Sequence, residues 1–134
     1  MTLPVLPVTG LASAPTPGVV ARAAGASAVA VLAPAARVGA ACGAVDAAAR
    51  TVLQRKGLGR YFVHSTGHGI GLEIHEDPRV ARDQKTVLMA GNVVTLEPGV
   101  YVEGIGGIRI EDDVLVTLRG SETLTTTPRE FLEI

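Results

Sequence analysis

All three histidines of this 134-residue chain fall within twelve residues, in His64-Ser-Thr-Gly-His68-Gly-Ile-Gly-Leu-Glu-Ile-His75-Glu-Asp-Pro78. Imidazole is the commonest metal ligand and the side chain that changes charge near neutral pH. Further along come Val94-Thr-Leu-Glu97-Pro-Gly-Val-Tyr101 and then Gly107-Ile-Arg109-Ile-Glu111-Asp112. A histidine cluster followed by isolated glutamates in apolar, strand-like surroundings points to a metal site.

Each residue also has a plainer explanation. His68 sits between two glycines, which leave room for a metal to approach; alone, it would more often be a loop histidine bonded to backbone. His75 lies seven residues on and is not part of the helical zinc-protease motif, because no second histidine follows at that offset. Glu97, at the end of a Val-Val-Thr-Leu run, is costly to bury unless paired or metal-bound. Arg109 and Glu111 share one face of a strand, where an exposed ion pair would be worth little. Asp112 and Asp113 are expected to lead back to solvent.

Those side chains must be positioned by the surrounding elements. Met1 to Pro17 holds four prolines and reads as an extended arm. Ala and Leu predict a helix over Gly18–Ala33, stopped by Pro34, then a loop over Ala35–Gly43. Val45, Ala48, Ala49, Val52 and Leu53 recur at helical spacing and predict a helix over Ala44–Lys56, capped by Gly57. Tyr61–His64 is a short strand candidate. Gly67, Gly69 and Gly71 forbid regular helix and permit close backbone approach. Ile74–Asp83 is expected to turn at Pro78. Asn92–Glu103 and Ile108–Thr117 are β-rich runs joined by the hairpin signal Gly104-Ile-Gly-Gly107. Helices first and strands later make an α+β domain.

Composition bounds the function. The length suits one domain. A formal net charge of -1 gives no electrostatic reason to expect nucleic acid or an anionic membrane as partner. Cys42 is the only cysteine, so no internal disulfide forms and a reducing, cytoplasmic address is expected. The first residues lack the basic start of a signal peptide, and no stretch suits a membrane span. Only Arg22, Arg37, Asp46 and Arg50 carry charge before Arg55, so the Ala- and Val-rich first part has little polar surface. Self-association is expected from it.

The order His64…His68…His75, then Thr95-Leu-Glu97-Pro-Gly, then Arg109-Ile-Glu111-Asp112, resembles the C-terminal half of the pita-bread metallopeptidases. These include methionine aminopeptidases, Xaa-Pro aminopeptidases and Xaa-Pro dipeptidases. The resemblance runs from about Pro17 to Thr117, leaving residues 1–16 as the arm and 17–134 as the C-terminal part of the domain. The four-residue step from His64 to His68 and the fourteen-residue step from Glu97 to Glu111 resemble the Xaa-Pro branch.

The resemblance implies helices packed on a curved antiparallel sheet and hydrolysis of a peptide or dipeptide beside proline. It implies His68, Glu97 and Glu111 as metal ligands, with Glu111 bridging two ions. Glu97 is implied to move the proton of the attacking water, and His75 to bond the substrate and steady the tetrahedral intermediate. His64 and Arg109 are implied to lie near the substrate. The implied divalent ion is manganese first, with cobalt or zinc as alternatives. Two further aspartate ligands are implied upstream of the helices. Asp46, the one acidic residue before Glu73, falls in a helix where the family carries an ordinary helical residue. The expectation is therefore at most one tightly held ion per chain and little or no hydrolysis by the chain alone. A complementing N-terminal half, a non-catalytic remnant and a binding module are the alternatives.

Overall fold

A computed structural model describes residues 26–128. The expected arm, the start of the first expected helix and the tail from residue 129 lie outside the described residues.

Helix α1 spans Ala26–Ala35 and carries Pro34 inside its last turn, so Pro34 does not stop the helix as expected. A proline this late removes one donor, and the turn still closes through Ala36 N–H to Leu32 O at 3.0 Å. Helix α2 spans Cys42–Arg55 and starts earlier than expected. Its N-terminus has no side-chain cap. Instead Cys42 and Gly43 donate to the carbonyls of Thr86 and Gln84, both at 2.9 Å, so a passing strand-like segment satisfies the first orphan N–H groups. At the other end Gly57 takes φ +73°, with Gly57 N–H on Gln54 O and Leu58 N–H on Leu53 O. That pairing is the Schellman ending a glycine favours, and Leu58 buries its side chain there.

The expected strand over Tyr61–His64 is absent. A 3-10 turn covers Gly59–Tyr61, and the chain then runs on without strand pairing. The carbonyls of Phe62 and His64 accept hydrogen bonds from Arg50 instead of from a neighbouring strand. Strand β1 is Gly67–Gly69 and β2 is Glu76–Val80. Pro78 lies inside β2 rather than at a turn, a place an edge strand tolerates.

Strands β3 (Val93–Leu96), β6 (Asp112–Thr117) and β7 (Gly120–Thr123) complete an antiparallel sheet in the order β2-β1-β3-β6-β7. Strands β4 (Gly99–Val102) and β5 (Gly106–Arg109) pair with each other as a hairpin. Leu96 faces Asp112 in one ladder and Gly99 faces Arg109 in the other. The two ladders thus share one register, interrupted between them. Pro98 has no N–H to give, and Glu97 N–H donates to Thr66 O at 2.7 Å, so the break falls on the two expected carboxylates. Asn92–Glu103 and Ile108–Thr117 are therefore two halves of a long hairpin, each broken once.

Along β6 the buried positions alternate, and Asp112, Val114 and Val116 point inward. Asp112 is buried, against the expectation that it leads to solvent. The core joins Leu32 and Ala36 of the α1 end, Cys42, Val45, Ala49 and Leu53 of α2, and Val94, Leu96, Val114 and Val116 of the sheet. It is a helix-on-sheet α+β layer with strongly apolar facing sides.

Candidate metal centre

His68 stands in the middle of β1, where neighbouring backbones pass too close for side chains. A Cβ on Gly67 would run into the Thr95 carbonyl oxygen, and one on Gly69 into the Asp77 carbonyl oxygen. The glycines therefore let β1 thread between β2 and β3 with His68 projecting from it. His68 N–H donates to Thr95 Oγ1 at 3.1 Å. Its Nδ1 donates to Gly69 O at 2.9 Å, which leaves Nε2 as the outward nitrogen.

That Nε2 lies 3.2 Å from Glu97 Oε1. Glu97 is 7 % exposed. Its Oε1 also accepts from Thr95 Oγ1 at 3.2 Å, and its Oε2 meets Arg109 Nη1 at 3.2 Å. Tyr101 Oη in turn accepts from Arg109 Nε at 2.9 Å. His75 stands on an exposed stretch, its ring centroid 4.3 Å from that of His68. His64 donates from Nδ1 to Ser65 O at 2.7 Å and packs edge-on between Phe62 and Tyr101. Its Nε2 is buried without a hydrogen-bond partner among the described residues.

Glu111 lies one residue before β6, as Glu97 lies one residue after β3, so the shared register brings both to the same break. Burial holds the Glu111 carboxyl above the usual range, and the negative charges of Glu97 and Asp113 push it further. His68 and Arg109 pull the other way. Among the described residues, no three His, Cys, Asp or Glu side chains are already arranged as a cage for an ion. His68 and Glu97 contact each other, and Arg109 occupies the remaining Glu97 oxygen.

The donor chemistry nonetheless fits a divalent cation. The Glu111 carboxyl, which resists ionisation, and an imidazole whose other nitrogen is fixed on a carbonyl are groups that a bound cation would relieve and orient.

Tyr101, Gly99 and Asp46 were not read from the sequence as parts of this site or its support. Tyr101 could have been found from the hairpin: Gly104 closes the turn, Tyr101 then faces Gly107, and Arg109 lies two residues along. A Cβ on Gly99 would come within 2.9 Å of both Tyr101 Oη and His64 Nε2, so Gly99 holds open the space between them. Asp46, expected to be an ordinary helical residue, is 1 % exposed and bonded to Arg50 and Thr66. Arg50 at i+4 marks the ion pair, but no local signal marks the contact with Thr66, twenty residues away.

The profile of metallopeptidase family M24 matches residues 16–118. This chain belongs to metallopeptidase family M24. It forms the C-terminal part of the family's pita-bread fold. It is 52 % identical over 88 residues to the Xaa-Pro dipeptidase of Pyrococcus furiosus, a match covering 66 % of this chain and 25 % of that protein. The uncharacterized peptidase YqhT of Bacillus subtilis is 47 % identical over 87 residues, 65 % of this chain and 25 % of that protein. Among solved structures, the prolidase of Pyrococcus horikoshii superposes with TM-score 0.81 at 43 % identity, covering 84 % of this chain and 32 % of the other. The Xaa-Pro dipeptidase of Bacillus anthracis gives 0.83 at 43 %, covering 89 % and 34 %. The chain thus spans about a quarter of the length of the curated relatives it matches. No helix among the described residues is long and apolar enough to cross a membrane.

Proposed function

We propose that this chain holds the metal- and substrate-binding side of an Xaa-Pro peptidase, aminopeptidase or dipeptidase in type. The contact that carries the reading is His68 Nε2 to Glu97 Oε1 at 3.2 Å, with His68 Nδ1 fixed on Gly69 O. His68, Glu97 and Glu111 would hold a divalent ion. Manganese suits the carboxylate-rich donor set best, with cobalt and zinc as alternatives. When bound, the ion would make a water more acidic and polarise the scissile carbonyl.

The remaining work falls to the chain's own side chains. Glu97 takes a proton from the attacking water and returns it to the departing proline nitrogen. His75, exposed beside His68, donates a hydrogen bond to the oxygen on which charge develops. Arg109 offers a guanidinium to a substrate carboxylate, and His64, packed against Tyr101, lies near that end of the substrate. The substrate is a peptide or dipeptide with proline after the cleaved bond, and neither nucleic acid nor membrane is a partner. Cys42 is buried, and burial pushes its thiol up, which suits an inert thiol in the cytosol.

A second ion would need more carboxylates. Before Glu73 the sequence has only Asp46, already bonded to Arg50 and Thr66. This supports a single ion per 134-residue chain, with full activity awaiting carboxylates from a complementing segment or partner. Exposed Ile70, Leu72 and Ile74 beside His75 favour association with another protein surface or a second copy.

Metal analysis after dialysis against manganese tests the reading. We expect one ion per chain in the native protein and none in His68→Ala. Equal uptake by both would remove His68 from the site, and two ions per chain would show a ligand set fuller than the one proposed.

A further inference from the structure

Helix α2 buries Asp46 in an otherwise apolar face, paired with a half-buried Arg50. Asp46 shares that face with Cys42, Val45, Ala49 and Leu53. Arg50 grips it with two nitrogens, Nε to Oδ2 at 2.6 Å and Nη2 to Oδ1 at 3.1 Å. A buried ion pair is a poor device for stability, because desolvation offsets most of its attraction. What it supplies is direction. The same guanidinium donates to Phe62 O at 3.0 Å and His64 O at 2.7 Å, and lies 4.3 Å above the Phe62 ring. Those carbonyls belong to a stretch outside helix and sheet, and a buried carbonyl there needs such a donor.

The network continues to the metal centre. Thr66 is fully buried and donates from Oγ1 to Asp46 Oδ1 at 2.8 Å. Its carbonyl accepts from Glu97 N–H at 2.7 Å, and His68 follows two residues later. Thr66 is thus tied to the helix by its side chain and to Glu97 by its backbone.

We infer that Asp46, Arg50 and Thr66 form a clamp that sets where His68 and Glu97 stand, making them positioning residues for the metal centre. The inference rests on the metal-centre reading for its purpose, while the clamp can be tested without the ion. The hydrogen-bond distances bear on this directly. Arg50 fixes the carbonyls of Phe62 and His64 on the stretch that leads to His68, and Thr66 ties the end of that stretch to Asp46 and to Glu97 N–H, so loosening either one lets His68 shift relative to Glu97. Loss of such outer partners typically weakens metal binding by about ten- to a hundredfold.

The experiment uses the full chain with three variants. Thr66→Val keeps the shape and loses the bond to Asp46. Thr66→Ser keeps the hydroxyl. Arg50→Lys keeps the charge and loses the fork. Circular dichroism checks folding, nitrogen-15 spectra of the imidazoles in EDTA report His64 and His68, and titration with manganese gives affinity. We expect Thr66→Val and Arg50→Lys to fold, to shift the His64 and His68 ring signals, and to bind manganese about tenfold more weakly. Thr66→Ser should stay within twofold of the native chain. Unchanged ring signals overturn the clamp, as does unchanged affinity in a chain that binds manganese. Unfolding of both Thr66→Val and Arg50→Lys also overturns it, by showing a merely structural network. If the native chain takes up no manganese, the metal-centre reading falls and the ring spectra alone decide the clamp.

Discussion

Arg109 Nη1 lies 3.2 Å from Glu97 Oε2, while His68 Nε2 lies 3.2 Å from the other oxygen of the same carboxylate. One carboxylate is therefore divided between an expected ligand and a guanidinium. The guanidinium neutralises Glu97 and at the same time repels any cation that approaches it. Arg109 is half-exposed, so water screens both effects.

Replacing Arg109 by Met should tighten manganese binding, because a positive charge leaves the neighbourhood of Glu97. An exposed pair is worth roughly 0.2–1 kcal/mol, which corresponds to about 1.5- to 5-fold in affinity. The same change should weaken binding of a dipeptide that ends in a carboxylate. Opposite signs for the two ligands, read by calorimetric titration, are the expected result. Weaker binding of both would mean that Arg109 supports the site rather than competing in it.

Glu111 should make the metal-free chain sensitive to pH. Burial, then Glu97 and Asp113, hold its carboxyl above the ordinary glutamate range in the folded state. A raised folded value means that the native state binds the proton more tightly than the unfolded state. The corresponding stability is fully present below the ordinary glutamate value and is lost as pH rises through the raised one. Acidification from neutral across that window should therefore stabilise the native chain more than Glu111→Gln. At pH 7 in EDTA the variant should melt higher than the native protein. With manganese the order should reverse, because the variant lacks one of the proposed ligands. Melting curves of both proteins, with and without the ion, check all of these signs.

Gly67→Ala should be severely destabilising even though alanine is small. The added Cβ meets the backbone carbonyl of Thr95, which cannot rotate away as a side-chain tip would. Overpacking costs about 1–3 kcal/mol where neighbours can adjust, and the upper end or beyond applies to backbone. Gly91→Ala is the comparison: no atom lies within 4 Å of its added Cβ, and its positive φ of 91° gives only local strain. Urea unfolding should separate the two clearly.

The meeting of His68 with Glu97 was legible because each sits in a local string that explains it: glycines around His68, and an apolar run before Glu97. The α+β order and the hairpin at Gly104–Gly107 were legible for the same reason. What escaped depends on distant partners. The strand expected over Tyr61–His64 fails because Arg50, twelve to fourteen residues earlier, takes its carbonyls. The break at Pro98 arises because Glu97 N–H turns to Thr66. Asp112 looked solvent-bound beside Asp113, yet the alternation of β6 turns it inward. Asp46 looked ordinary because helical spacing cannot reveal that its face meets Thr66 across the core.

The last prediction concerns turnover. Two-metal hydrolysis requires both ions to be held a few ångströms apart, each stabilising part of the transition state. In this 134-residue chain the expected ligands are His68, Glu97 and Glu111, and Asp46 is held by Arg50 and Thr66. One ion could still make water more acidic, but the amine end of the substrate would lack a fixed partner. The chain alone, in manganese, should therefore cleave a Xaa-Pro dipeptide very slowly or not at all. Addition of a segment carrying two aspartates from a full-length Xaa-Pro peptidase should raise the rate, provided that it pairs with the exposed surface around Ile70, Leu72 and Ile74. His68→Ala should abolish that gain, which separates true completion from activity brought by the added segment. Fast turnover by the chain alone, lost in His68→Ala, would mean that the site is complete without it and that Glu111 and its neighbours hold the second ion unaided.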